Sequence, residues 1–321
     1  MNGRFIISLD YELLWGLSGW NNNQITEYLS HIQQANFALQ EILNLLEKYD
    51  VKVTIAFVGC MNFQTEEELL TTMNSWEPQY KRQLFSAFSS VVPYARQKNA
   101  MNYLFATKYI EELSHKSLVE LGSHTFSHYY CLEEGSNPMD FRQDIKHVVQ
   151  NARKSRIHLS TIIFPRNQVS DDYLLICAKE GFTHYRGMLN TGLYKSEKTQ
   201  SRYSIKGALR FLDAYINLSG YQTYTWDSCF DSVLVNVPGS RFLRPYSKKL
   251  RWFEWLKIRR IKQSMEYAAK HGEIFHLWWH PHNFGLDTVN NLDNLEQLCK
   301  HYKLLSQKYA YKSCFISEIT A

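Results

Sequence analysis

The sequence predicts an α/β barrel built from a single domain, residues 1–321, with a helical insertion at about 62–118. Three observations lead there. Short apolar runs ending in polar residues alternate with stretches of helical periodicity. A length of 321 residues suits one large barrel or two ordinary domains. Only 14 glycines and 7 prolines are present, and no linker or repeat stands out, which favours the single unit over a hinged pair.

The elements follow in order. "RFIISLD" reads as a buried parallel strand ending in an acid. Residues 25–49 carry Ile32, Leu39, Ile42, Leu43 and Leu46 at helical intervals, and "VKVTIAFVG" is the next strand. Residues 62–118 exceed what one crossover helix needs. "SLVELGSH" gives the third strand. A helix over 137–155 follows, with Asn137 and Pro138 suited to its start. "STIIFPR" is the fourth strand, and Ser170 and Gly181 bracket another helix. Beyond residue 185 the pattern is mixed, with "DSVLVNV" a candidate strand. A helix over 247–271, a strand "EIFHLWWH" and a helix over roughly 289–309 complete the chain.

Composition narrows the functional classes. Apolar residues make up 45% and charged residues 21%, the balance of a folded globular chain. A net charge of +5 is too modest to argue for nucleic acid, and no nucleic-acid module is recognisable. Six scattered cysteines without a C-x-x-C pair suit reduced thiols. "MNGRFIISLDYELLWG" lacks a secretory pattern, and no apolar run approaches the ~20 residues that span a bilayer, so the expected location is cytoplasmic. The 21 Tyr, 18 Phe and 8 Trp chiefly fill core, and they also suit a sugar-facing surface.

The chemistry gathers at strand ends. "ELGSHTFSHYY" holds His124 and His128, four apart; among 12 histidines such a pair is weak evidence on its own. Asp10 and Glu12 follow the first strand, Arg166 and Asn167 the fourth, and His280 and His282 the late one. In a parallel barrel those ends open onto one face, so the residues converge. Two histidines and a carboxylate with an open position form a usual shell for a catalytic divalent ion. Each piece also has a plain structural reading: a helix cap, a satisfied buried histidine, aromatic core, a surface arginine.

The chain resembles the polysaccharide deacetylase, or NodB-homology, superfamily, also called carbohydrate esterase family four. "GSHTFSH" fits its H-S/T-x-x-H metal motif, "ISLDYE" a D-x-D-like first motif, "FPRNQ" the place of its arginine motif and "HLWWH" its closing L-x-x-H motif. They occur in the family's order across residues 5–285. The T-F-D-D-G form is absent, Glu12 replaces a second aspartate, and the arginine motif lacks its usual R-x-P-Y/F form. Asp213 in "RFLDAY" is a candidate for the tryptophan-and-aspartate motif.

The resemblance implies a distorted (β/α) barrel and a metal-dependent carbohydrate N-deacetylase. Glu12, His124 and His128 would hold one divalent ion, with zinc the expectation. Asp10 would be the base, paired with Arg166, and His280 the acid, with an oxyanion contact from a backbone N–H near residue 167. Asp10 and Glu12 share a strand face if the strand persists, and their roles are interchangeable at this level. The implied substrate is an acetamido sugar, nucleotide-linked, lipid-linked or polymeric, in lipopolysaccharide, O-antigen, capsule or related glycoconjugate biosynthesis. A hydrolase of cyclic amides or ureides and a catalytically silent glycan-binding relative are the alternatives. The basic, aromatic segment 244–262 suits peripheral contact with the inner face of a membrane, or an ordinary amphipathic helix on the barrel.

Overall fold

The structure, a computed structural model, describes residues 2–189 and 205–321. The chain begins with β1 (Arg4–Tyr11), α1 (Asn22–Gln33), α2 (Ala35–Lys48) and β2 (Val53–Phe57). Three helices, α3 (Glu66–Ser75), α4 (Ala87–Gln97) and α5 (Thr107–Ser114), precede β3 (Val119–Ser123). Then come α6 (Pro138–Lys154), β4 (Thr161–Ile163), α7 (Asp171–Lys179), β5 (His184–Arg186) and α8 (Ile205–Asp213). The chain ends with β6 (Val235–Asn236), β7 (Arg241–Phe242), α9 (Glu254–His271), β8 (Ile274–Trp279), α10 (Thr288–Tyr309) and β9 (Lys312–Cys314).

The strands form a parallel sheet in the order β6-β5-β4-β3-β2-β1-β8-β7, with β9 also on β1. The two edge strands belong to one short segment. The N–H groups of Val235, Val237 and Gly239 bond β5 and the residues on either side of it, whereas those of Ser240 and Leu243 bond β8. That segment draws the sheet edges together, so the architecture is a distorted (β/α) barrel.

Alternation along β1 separates its two faces. Phe5, Ile7 and Leu9 pack outward in the large core with the helices, while Ile6 joins a smaller cluster with Ala56, Ile163, Val237 and Ile274. With the period of two, Ser8 and Asp10 continue the inward series above Ile6. The barrel is therefore apolar at its base and polar toward the C-terminal strand ends.

Sequence expectations and structure differ in instructive places. The helix expected over 25–49 is two helices broken at Gln34, which leaves helical geometry at φ −96°, ψ 0°. The helix expected from 247 starts as a 3₁₀ run at Lys248–Phe253 and becomes α-helical at Glu254. Asn137 caps α6 by accepting from the Met139 and Asp140 N–H groups, with Pro138 in the first turn. Ser170 stands at the start of α7 without making a side-chain cap. All six cysteines are buried and free.

Candidate metal centre and cleft

Two segments deliver the centre. Strand β1 stops at Tyr11, so Glu12 lies just past it (φ −129°, ψ −11°), and its C=O accepts from Trp15 to open a 3₁₀ turn at Leu13–Leu17. A Cβ at Gly16 would collide with the Glu12 carboxyl group, so a larger residue there would displace that carboxyl group. After β3 the chain turns sharply through His124–His128. Asp144, buried on α6, accepts from the Phe126 N–H (2.6 Å), the Ser127 N–H (2.9 Å) and the Ser127 hydroxyl (2.5 Å). Thr125 and His128 hold left-handed φ values of 62° and 61°, while Leu13, Arg166 and Asn167 stand at 44°, 55° and 51°. Non-glycine residues in this region are strained by about 1 kcal/mol or more each and persist where surroundings over-determine them.

Glu12 Oε2 lies 3.0 Å from His128 Nε2 and 3.3 Å from His124 Nε2. The hydrogen bonds behind the rings set their tautomers. His124 Nδ1 is 2.9 Å from the Ile163 carbonyl, which can only accept. His128 Nδ1 is 3.2 Å from Ser18 Oγ, whose own hydrogen goes to Tyr130, and the Tyr130 hydroxyl donates to the Ser18 carbonyl. Both rings thus carry their proton on Nδ1 and turn an Nε2 lone pair toward a carboxylate oxygen. Burial pushes His128 down to about 4, so it is neutral at pH 7. Burial raises Glu12, but His280, His124 and His128 outweigh it and hold the carboxyl well below its ordinary value. Three acceptors converging with no hydrogen between them suit a cation. Ligands at zinc bond lengths in a tetrahedron stand about 3.3 Å apart, which matches these separations. The residues fit a divalent metal; Glu12, His280 and His282 form a second group with ligand atoms within 4.8 Å of one another.

Beside this centre Asp10 is held by a fork. Arg186, fully buried at the end of β5, donates to Asp10 Oδ1 (2.6 Å) and Oδ2 (2.7 Å). It also donates to Ser8 Oγ (3.1 Å) and to Asn167 Oδ1 (3.0 and 3.2 Å), and it stacks on Trp278 at 4.2 Å. Burial opposes ionisation of Asp10, yet the Arg186 charge, helped by His124, keeps its pKa below the ordinary value. His280 Nε2 lies 3.6 Å from Asp10 Oδ2 and 3.5 Å from Glu12 Oε1. Asp10, Glu12, His124, His128 and His280 line a cleft of about 370 Å³, walled by Trp20, Tyr28, Tyr130, Phe242 and Trp278; Arg186 lies buried behind it.

No protein-family model matches the chain, and no curated protein matches its sequence. Solved structures do. One assigned as a polysaccharide deacetylase from Mycobacterium smegmatis superposes with a TM-score of 0.58 at 11% identity, covering 99% of this chain and 90% of that one. Another so assigned, from Pseudomonas aeruginosa PAO1, gives 0.53 at 9% identity over 98% and 89% of the two chains. The chain has the polysaccharide deacetylase fold. Puue allantoinase shares it, at a TM-score of 0.50 and 9% identity over 98% and 88%.

On this deacetylase fold, Asp10, Glu12, His124, His128, Arg166 and His280 all reach one cleft. The expected pairing of Arg166 with Asp10 is corrected. Arg166 bonds Glu133 at 3.0 Å and lies 4.0 Å over the Tyr130 ring, because its left-handed backbone turns it away from the barrel axis. Asn167, its neighbour, steers Arg186 instead. The Asn167 N–H is spent on the Phe164 carbonyl, so it is not the expected oxyanion donor. Asp213 pairs with Arg241 at 3.2 Å, and its carboxylate also accepts from the Leu218 and Ser219 N–H groups. His276 is a core residue: its Nε2 meets Ser8 Oγ at 2.7 Å and its Nδ1 the Val237 carbonyl at 3.2 Å. Sequence reasoning missed Arg186, Ser8, Ser18 and Asp144. Of these, Arg186 alone stands at a strand end, on a strand of three residues too short to be read from the sequence.

Proposed function

We propose that the chain is a metal-dependent hydrolase that removes an N-acetyl or similar acyl group from an amino sugar. The observation that carries this is the convergence of two imidazole lone pairs and the Glu12 carboxylate beside an ionised, arginine-clamped Asp10. A divalent ion held by Glu12, His124 and His128 would supply Lewis acidity toward water and the acyl oxygen. Asp10, kept ionised by Arg186, takes a proton from the attacking water as its oxygen bonds the acyl carbon. His280, within 3.6 Å of both carboxylates, gives a proton to the amide nitrogen as the C–N bond breaks. The products are a free amine and a carboxylic acid. Ser8, Asn167 and His276 keep the Arg186–Asp10 pair in register. The aromatic walls suit the apolar faces of a sugar ring, and the fold shared with assigned polysaccharide deacetylases agrees. The substrate we infer is an acetamido sugar of surface polysaccharide or glycoconjugate synthesis.

The test combines metal analysis of the purified chain with turnover on a panel of acetamido sugars and cyclic ureides. The expected result is one equivalent of divalent metal, loss of that metal in His124→Ala, and an Asp10→Asn variant that keeps metal but is inactive. An Asp10→Asn variant that loses metal while Glu12→Gln keeps it reverses the two carboxylates. Turnover of ureides alone selects the reading suggested by the allantoinase likeness, and a wild-type chain without metal or turnover overturns the hydrolase.

A further inference from the structure

One exposed face beside the cleft is built unlike the rest of the surface. Phe242 and Pro245 line the cleft, and the chain then runs outward through the 3₁₀ turn at Lys248–Phe253 into α9. On that run Trp252 is 73% exposed, Trp255 57% and Phe253 54%. The chain's other six tryptophans are buried or half-buried. A ring held in water gains nothing from folding, so three on one short run call for a partner.

The apolar face continues on both sides. Arg244 lies 5.5 Å over the ring of Phe211 and so joins the run to α8, where Leu209, Phe211 and Leu212 are exposed. Lys248 reaches Asp287 at 3.9 Å and so joins it to Leu286 and Val289, also exposed.

Charge identifies the partner. Lys248, Lys249, Arg251 and Arg259 are exposed among these rings. The nearby acid Glu254 is buried and paired with Lys257 at 2.6 Å. Lys257 and Arg260 are themselves buried, so they belong to the packing of α9 and not to this face. Lys and Arg stems with charged ends, set around tryptophan and phenylalanine, match an interface where apolar rings sit at headgroup depth and cations meet anionic headgroups. Among the described residues no helix is long and apolar enough to cross a membrane, so the contact is peripheral.

We infer that this face docks on an anionic lipid surface and presents the cleft mouth to it. Resting on the hydrolase reading above, the consequence is that the acylated sugar is lipid-linked and is met at the bilayer.

The experiment is vesicle co-sedimentation of the full chain, with tryptophan fluorescence as a second readout. Vesicles of phosphatidylcholine are compared with vesicles of equal parts phosphatidylcholine and phosphatidylglycerol. Binding to the anionic vesicles with a blue shift is expected, weakened by salt. The triple variant Trp252→Ala, Phe253→Ala, Trp255→Ala should reduce partitioning by about tenfold or more, with an unchanged circular dichroism spectrum because all three side chains are exposed. Lys248→Glu with Lys249→Glu and Arg251→Glu should reduce it too. Absence of binding to anionic vesicles overturns the inference. So does binding that the aromatic variant leaves intact, and so does tighter binding to an oligonucleotide that competes with vesicles. Because the assay reads binding without turnover, its failure leaves the hydrolase standing, and an inactive chain that still binds vesicles leaves the docking face standing.

Discussion

Replacing Arg186 separates the structure's account of the base from the expectation drawn from sequence. Arg186 is 0% and Asp10 3% exposed. The guanidinium makes two charge-assisted bonds to Asp10 and further bonds to Ser8 and Asn167. Arg186→Gln would strand a carboxylate in a site that already holds Glu12. Breaking a buried pair in this way costs about 3–5 kcal/mol, or a fall in Tm of about 4–7 °C for a chain of this size. Part of that penalty is relieved by protonation of Asp10. Since Arg186 is what lowers the Asp10 pKa against burial, its removal raises that pKa, and the acid limb of kcat/KM moves toward neutral pH. Turnover at pH 7 should fall by about 10²-fold or more. Arg186→Lys keeps the charge but cannot reproduce the fork, so it should lie between. Arg166→Gln is the control, because its side chain is 32% exposed and its partner Glu133 keeps a second donor in Gln168; it should cost less stability than Arg186→Gln and leave the acid limb in place. The assay is a pH profile of kcat/KM with Tm for all three variants. An acid limb that moves in Arg166→Gln while Arg186→Lys matches wild type would refute the reasoning.

Three further outcomes follow from the same geometry. His280→Ala should lose about 10²- to 10⁴-fold in turnover with metal content unchanged, whereas His276→Ala should lose stability first because both its ring nitrogens are bonded in the core; a normal His280→Ala beside an inactive, metal-replete His282→Ala would move the acid to His282. Asp144→Ala frees the turn that carries His124 and His128, and should weaken metal binding by about 10- to 100-fold with intact Asp10 and Glu12, as loss of a supporting contact does; equal metal affinity by titration would show that the turn holds without it. Stability of the metal-free chain should fall as pH drops below about 6.5, because burial keeps His128 neutral to about 4 and His276 and His282 to about 3, so the unfolded chain binds the extra protons. Asp144, raised by burial to about 6, binds a proton in the folded state and offsets one histidine over the lower part of that window. Each uncompensated histidine contributes up to about 1.4 kcal/mol per pH unit, and denaturant unfolding that is equally stable at pH 7 and pH 5 would contradict it.

What was legible in the sequence follows how far apart the informative residues lie. Asp10 could be read because a continuous apolar run ends on it. His124 and His128 could be read because their spacing survives whatever the local backbone does. They do not sit on a helix, and the left-handed turn that aims them depends on Asp144, which arrives from another element. Strand β5 spans three residues, too short for a period of two to register, so Arg186 was hidden although it obeys the strand-end logic that selected Asp10. Strand order explains the rest. In sequence Arg166 is the nearer arginine to a recognisable strand end, yet position around the barrel decides which guanidinium points inward. The inward row at β5 gives Arg186 a direct line across the barrel to Ser8 and Asp10 on β1. At the end of β4, a positive φ at both Arg166 and Asn167 swings the first side chain to the rim and leaves the second facing Arg186. A motif therefore identifies the segment that serves a carboxylate more securely than it identifies the side chain. Here "FPRNQ" does serve Asp10, through Asn167 and by way of an arginine that the motif does not contain.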